Sequence, residues 1–226
     1  MNVAIIAAAG QGTRIGGKRA KQFLELAGTP IIIHTLRPFE QCEAIQEIIL
    51  VLPELDTVGF LEIGGKYGLR KLVKTVSGGS TRAESVWRGL EAISSTTGIV
   101  AIHDGVRPFV TKDEVAQTVR AAEVNDAAIL VAPATDTIKQ VKDGTIVRTL
   151  QRADLRHALT PQCFRYSLLK RAFQQADLLN PEFTDESLLV ERLGVKVAIV
   201  EGSSRNIKIT RREDLAMAEI MLKNRQ

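Results

Sequence analysis

A short apolar run, Val3-Ala4-Ile5-Ile6, leads straight into Ala7-Ala8-Ala9-Gly10-Gln11-Gly12-Thr13-Arg14-Ile15-Gly16-Gly17-Lys18-Arg19-Ala20-Lys21-Gln22. Apolar residues that stop abruptly at glycine read as a buried strand ending in a loop. The loop holds four glycines and four basic residues, Arg14, Lys18, Arg19 and Lys21. Glycine lets backbone N–H groups approach an oxyanion closely and the basic side chains add full positive charge, so the stretch reads as a cradle for phosphate. Two common phosphate motifs nearly fit, and both fail. Gly12 to Lys18 follows the Walker A spacing until Arg19 stands where a hydroxyl should meet magnesium. Gly10, Gly12 and Gly16 leave one residue too many for a dinucleotide fingerprint. The alternative is a solvated glycine turn with incidental lysines.

The same grammar recurs downstream. Thr29-Pro30 opens a helix through Ile32, Ile33 and Leu36 that is expected to break at Arg37-Pro38. Ile45 to Leu52 is a second strand, Leu55 to Leu69 a helix ending at Gly64-Gly65, and Leu72 to Val76 a third strand. That strand runs into a second glycine loop, Ser77-Gly78-Gly79-Ser80, and a capping box at Thr81-Arg82-Ala83-Glu84. Ile99 to Ile102 is a fourth strand ending in His103-Asp104-Gly105-Val106-Arg107-Pro108, followed by a capped helix from Thr111. Ala127 to Ala132 is a fifth strand. Strand alternating with helix predicts an α/β protein with a doubly wound, mostly parallel sheet, whose ligands bind beyond the strands' carboxyl ends. The basic loop, the second glycine loop and His103 to Pro108 all follow strand ends and can share one crevice.

Thr137 to Val141 and Thr145 to Leu150 flank a Lys142-Asp143-Gly144 turn and predict a β-hairpin outside the main sheet. Its exposed edges need cover, which predicts a homodimer formed through this arm, at about 137–160. His157-Ala158-Leu159-Thr160-Pro161-Gln162 reads as a non-periodic binding loop. Tyr166 to Leu178 and the segment after Thr184-Asp185-Glu186 read as helices, Val195 to Val200 and Asn206 to Ile209 as strands, and Thr210 to Glu213 as the cap of a last helix. With 226 residues, 45% of them hydrophobic, and no linker, the chain is read as a single domain, 1–226.

Composition narrows the partners. A net charge of +4 and an aromatic content of 4% disfavour nucleic acid and suit small anionic substrates. Cys42 and Cys163 form no disulfide framework, and no apolar stretch is long enough to span a bilayer, so a soluble cytoplasmic protein is expected, without membrane contact. Asp104, released at a strand end near the basic loop, reads as a ligand for a magnesium ion that travels with a nucleotide, or as the partner of Arg107. Lys208 is the one charged residue of Asn206-Ile207-Lys208-Ile209-Thr210 and reads either as catalytic or as a solvated strand face. His103 points away from Asp104 on a regular strand and is read as structural. No nucleophilic triad emerges, which leaves charge stabilisation and positioning as the means of catalysis.

Taken together the motifs resemble the 2-C-methyl-D-erythritol 4-phosphate cytidylyltransferases, over essentially the whole chain. The resemblance rests on Ala8 to Gly16 with Lys21-Gln22, on Gly78-Gly79 with Arg82 and Ser85, on His103-Asp104 with Arg107-Pro108, on Asp136-Thr137 with Lys139, on His157 to Gln162, on Thr184 to Glu186 and on Asn206 to Lys208. It implies a Rossmann-like nucleotidyltransferase fold and transfer of the cytidylyl group of CTP to a sugar-alcohol phosphate, with Mg2+ or another divalent cation as cofactor. It further implies that Arg14, Lys21 and Lys208 are catalytic and that Asp104 holds the metal. Gly10, Gly12, Gly79, Ser80 and Ser85 would hold the nucleotide, with Gly79, Ser80 and Ser85 reading the cytosine. Arg107, Asp136, Arg152, Thr160 and Thr184 would form the sugar-phosphate site, with Arg152 and Thr160 reaching across the dimer. Ribitol-5-phosphate cytidylyltransferase and a non-catalytic nucleotide sensor stand as alternatives. Three positions depart from the usual pattern: Ala20 in place of proline, Ser80 in place of aspartate and Gly105 in place of alanine.

Overall fold

The apolar runs between the glycine loops assemble into one sheet. A computed structural model describes residues 1–10, 20–94, 96–179 and 184–224. In chain order these form β1 (Val3–Ala7), β2 (Glu25–Leu26), β3 (Thr29–Pro30), α1 (Ile31–Gln41), β4 (Glu47–Leu52), α2 (Glu54–Thr57), α3 (Phe60–Lys66), β5 (Leu72–Ser77), α4 (Arg82–Glu91) and β6 (Ile99–Asp104). There follow α5 (Lys112–Asn125), β7 (Ala127–Pro133), β8 (Lys139–Lys142), β9 (Thr145–Thr149), β10 (Arg156–Arg165), α6 (Tyr166–Gln174), α7 (Glu186–Arg192), β11 (Ala198–Glu201) and α8 (Arg212–Lys223). The main sheet runs β11-β7-β10-β6-β1-β4-β5. All its pairings are parallel except those of β10, which lies antiparallel to both β6 and β7.

Because successive strand residues face opposite sides, β1 divides its side chains between two cores. Ala4 and Ile6 join Ile33, Leu36 and Phe39 of α1 and Val115 and Val119 of α5 on one face. Val3 and Ile5 join Val86 and Leu90 of α4, Leu169 and Phe173 of α6 and Leu189 of α7 on the other. Burial on both faces explains why this strand is apolar throughout rather than alternating. A third cluster, with Leu26, Ile31, Phe109, Ile209 and Ala218, seats α8. Among the described residues no helix is long and apolar enough to cross a membrane.

Several local expectations are corrected by tertiary context. Thr29 does not cap α1; it pairs with Leu26 in the β2–β3 ladder, and Pro30 occupies the cap position. The helix also continues through Pro38 to Gln41, because the fully buried Phe39 anchors its last turn. The segment after Leu55 is two helices, divided at Gly59, whose φ of 79° no helix interior allows. Gly64 lies inside α3, where a Cβ would stand 2.8 Å from Leu72 Cδ2, so that glycine serves close packing rather than a helix end. His157 to Gln162 belongs to strand β10, whose register shifts between Ala158 and Gln162, and this shift hides the two-residue period from the sequence. Asn206 to Ile209, expected as a short strand, joins no sheet. Of the arm expected at about 137–160, β8 and β9 form a separate antiparallel pair with every residue exposed, whereas 156–160 belong to β10 of the main sheet.

Gly89 sets how closely α4 approaches the sheet. A Cβ there would lie 2.8 Å from Ile5 Cγ2 and 3.0 Å from Val51 Cγ2. Overpacking of this kind costs roughly 1–3 kcal/mol. Gly89→Leu is expected to lower the unfolding free energy in urea by about that amount; an unchanged midpoint would show that α4 can move away freely.

Candidate active site

The carboxyl ends of β6, β1, β4 and β5 follow one another along the sheet. Ala7, the last residue of β1, is paired with Asp104, the last of β6. Beyond them a cleft of about 600 Å³ is lined by Ala7 to Gly10, Lys21, Gln22, Gly79 to Arg82, Ser85, Asp104, Val106 and Lys208. Gln22 fastens the far end of the first loop to its start, its Nε2 donating to the Ala8 carbonyl at 2.7 Å. Gly105 lets β1 approach, since a Cβ there would stand 2.5 Å from that of Ala8.

Asp104 is the electrostatic centre. Its side chain is 7% exposed, and Arg82 Nε donates to Oδ1 at 3.0 Å, while Arg107 Nε at 3.2 Å and Lys208 Nζ at 3.0 Å meet Oδ2. Burial works against ionisation, but the charges of Arg82, Lys208 and Arg107 outweigh it and hold the carboxyl well below the usual carboxylate range. Arg82 reaches on to the fully buried Glu186, Nη1 to Oε1 at 2.5 Å. Below the cleft, the Asp104 N–H donates to Thr160 Oγ1 at 3.2 Å, and Thr160 Oγ1 lies 2.8 Å from His103 Nδ1. The other ring nitrogen of His103 meets the Arg107 carbonyl at 3.1 Å. Asn206 donates from Nδ2 to the Thr160 carbonyl at 2.8 Å and accepts Arg107 Nη1 on its own carbonyl at 2.7 Å, which fixes the segment that carries Lys208.

A second cavity of about 430 Å³ lies beside the first, lined by Arg107, Thr135, His157, Asn206 and Lys208 among others. Lys208 lines both. Of the residues singled out in the sequence, Gly10, Lys21, Gly79, Ser80, Ser85, Asp104 and Lys208 meet in the first cleft and Arg107 in the second. Asp136 and Arg152 are exposed near the foot of the arm, where Arg152 Nη1 donates to the Thr135 carbonyl at 3.0 Å. Thr184 is exposed two residues before Glu186. Thr160 is placed beneath Asp104 of its own chain, 4% exposed, and not at the end of a projecting arm. Gly12 and Arg14 lie outside the described residues. Sequence reasoning assigned no role to Arg82, Glu186 or Asn206; the signal for Arg82 was a charged first residue on a capped helix that opens from a glycine loop.

Among the described residues no group of three or more His, Cys, Asp or Glu side chains could enclose a metal. The donor set instead suits a cation delivered with phosphates, which needs only one or two protein carboxylates. A carboxylate has about four lone-pair sites, three are taken by Arg82, Arg107 and Lys208, and one remains on Oδ1.

A parallel sheet with a buried, ionised carboxylate ringed by cations at its strand ends defines a nucleotide-phosphate-binding α/β protein of the nucleotidyltransferase kind. Residues 2–224 match the family model described as IspD: 2-C-methyl-D-erythritol 4-phosphate cytidylyltransferase. Proteins of that name from Pelotomaculum thermopropionicum and Geobacter metallireducens are each 42% identical, covering 99% and 98% of this chain and 94% and 97% of their own. The crystal structure of 4-diphosphocytidyl-2C-methyl-D-erythritol synthase from Anaerococcus prevotii superposes with a TM-score of 0.86 at 32% identity, over 98% of each chain. That of the cytidylyltransferase from Thermus thermophilus gives 0.79 at 32%, over 97% of this chain and 98% of its own. The chain belongs to the 2-C-methyl-D-erythritol 4-phosphate cytidylyltransferase family.

Burial lowers the pKa of His103 to about 4, with its ring tilted against Phe39 at a centroid distance of 4.9 Å. Between pH about 4 and 6.5 the unfolded chain therefore holds more protons on this residue than the folded one. The stability it contributes is complete above pH 6.5 and is lost as pH falls towards about 4, roughly 3 kcal/mol in all. His34, also lowered by burial, adds in the same window. Urea unfolding followed from pH 7 to 4.5 should show this loss, and His103→Asn should flatten the slope; an unchanged slope would mean that His103 titrates normally.

Proposed function

We propose that the two cavities that share Lys208 carry out cytidylyl transfer from CTP to 2-C-methyl-D-erythritol 4-phosphate. A phosphate oxygen of the acceptor attacks the α-phosphorus of CTP, the bond to the β-phosphate oxygen breaks, and pyrophosphate leaves with the electron pair. The observation that carries this reading is Lys208, which lines the wall between the glycine-loop cleft and the cavity of Arg107. A cation there faces both reactants where they must meet.

The assignments rest on the motifs that the chain shares with its family. The glycine loop, with Gly10 and Gly12, cradles the triphosphate, and Arg14 and Lys21 bind it. Lys208 exchanges its contact with Asp104 for the charge that builds on the α-phosphoryl oxygens, while Arg82 and Arg107 keep Asp104 ionised and in place. Asp104 would hold a magnesium ion through its remaining Oδ1 site, and when bound the ion supplies charge neutralisation across the phosphates. Gly79, Ser80 and Ser85 face the base. Arg107 binds the acceptor phosphate, with Asp136, Arg152 and Thr184 around the acceptor; Thr160 supports that site from beneath. Catalysis is by positioning and preorganised charge, without a covalent intermediate.

The chain works as one domain, 1–226, and dimerises through the β8–β9 hairpin of the arm. The support is the exposed apolar side chains of a hairpin that contributes to neither core: Val141 is 60% exposed, Ile146 65% and Val147 57%.

Lys21→Ala and Lys208→Ala are each expected to lose about 3–4 kcal/mol of transition-state stabilisation, a hundredfold or more in kcat, if oxyanion-hole magnitudes transfer. Pyrophosphate release from CTP and 2-C-methyl-D-erythritol 4-phosphate measures it, with ribitol 5-phosphate as the control acceptor. Near-normal turnover with an intact circular dichroism spectrum would remove that lysine from the mechanism, and turnover with ribitol 5-phosphate alone would overturn the acceptor. Ile146→Asp should shift the protein towards monomer in light scattering; a monomeric parent protein would refute the arm's role.

A further inference from the structure

The loop between β5 and α4 is stapled down by side chains of the helix it leads into. The Gly79 N–H donates to Ser85 Oγ at 3.1 Å, and the Ser85 hydroxyl donates to the Thr81 carbonyl at 2.8 Å. Glu84 folds back over the loop, and its Oε2 accepts from both the Ser80 N–H, at 2.7 Å, and the Ser80 hydroxyl, at 2.8 Å. It can lie there because residue 79 has no side chain; a Cβ on Gly79 would run into Glu84 Cγ and Cδ. Arg88 closes the outer side, with Nη2 donating to Glu84 Oε1 at 2.9 Å and Nη1 to the Gly78 carbonyl at 2.9 Å. The Ser80 hydroxyl and N–H, followed by Arg88, hold the Glu84 carboxyl below its ordinary pKa.

Four donors of this loop are thereby committed. The Gly79 N–H, the Ser80 N–H, the Ser80 hydroxyl and the Ser85 hydroxyl all have acceptors in the loop or in α4. A hydroxyl has one proton and two lone pairs. With its proton on Glu84, Ser80 Oγ can only accept on the side that lines the cleft.

We infer that Glu84 is a specificity-determining positioning residue: by taking both protons of Ser80 it makes the Ser80 oxygen an acceptor that selects an N–H donor on the base, the amino group of cytosine, over the carbonyl that uracil carries at the same place. Glu84 acts through Ser80 and touches no substrate. The inference rests on the cytidylyltransferase reading above. It also accounts for serine at a position where the family commonly has aspartate, because a serine whose proton is held by a carboxylate offers the same acceptor-only face.

The test is kcat/KM for CTP and for UTP with 2-C-methyl-D-erythritol 4-phosphate, read as pyrophosphate release. Glu84→Ala frees two donors at Ser80, and the CTP-to-UTP ratio should fall about tenfold or more, the worth of one hydrogen bond to a charged or well-placed partner. The change should sit in KM, with kcat for CTP little altered. Glu84→Gln, whose amide oxygen still accepts from Ser80, should recover most of the ratio. If Glu84→Ala does not fold, Ser80→Ala at its exposed neighbour removes the acceptor itself and should lower the ratio alike. A wild-type enzyme active with CTP whose ratio is unmoved by these changes overturns this inference and leaves the proposed function standing. A wild type that releases no pyrophosphate with CTP and this acceptor overturns both.

Discussion

Everything at the strand ends depends on keeping one buried carboxylate charged. Asp104 is taken almost wholly out of water, which by itself would neutralise it, and three cations from three parts of the chain reverse that outcome. Arg82 comes from the start of α4, Arg107 from the turn after β6, and Lys208 from the segment between β11 and α8. The cluster is therefore also a tie between elements: moving any one of them would leave a buried charge underpaired, which is costly in a site of low dielectric.

The fold supplies what holds this cluster at a fixed depth. Thr160 accepts the Asp104 N–H from below, His103 braces Thr160, and Asn206 bonds the Thr160 carbonyl. Antiparallel β10 makes this possible, since it is inserted between β6 and β7 and carries Thr160 next to the end of β6. The neutral His103 and the ionised Asp104 are adjacent in sequence and opposite in charge state, because one faces the core and the other faces the cleft.

Close backbone approach is the second device of the site. Gly78, Gly79, Gly89 and Gly105 each stand where a Cβ would meet a neighbouring side chain. At Gly78 the neighbour is Ala9 of the first loop, so the two glycine loops touch only because one of them lacks a side chain there. At Gly79 the space is taken by Glu84, which binds Ser80.

The second glycine loop, the strands β4 to β7 and the helix caps at Thr81 and Thr111 were legible from the chain alone, because each is encoded in a few consecutive residues with a local physical reason. Thr111 to Glu114 forms the expected capping box, and β4, β5, β6 and β7 lie within a residue or two of their apolar runs. The recognisable order of motifs also carried the identity of the family. What the sequence could not show is which of these pieces would meet. β10 hid behind a register shift, the work of Arg82 lay in partners 22 and 104 residues away, and Thr160 braces the Asp104 N–H from 56 residues away. Those outcomes belong to the tertiary structure, since they depend on the pairing that sets Ala7 opposite Asp104 and on the packing that presses α4 against the sheet. Local chemistry is written residue by residue, but a charge cluster drawn from distant segments exists only once the strands are in register.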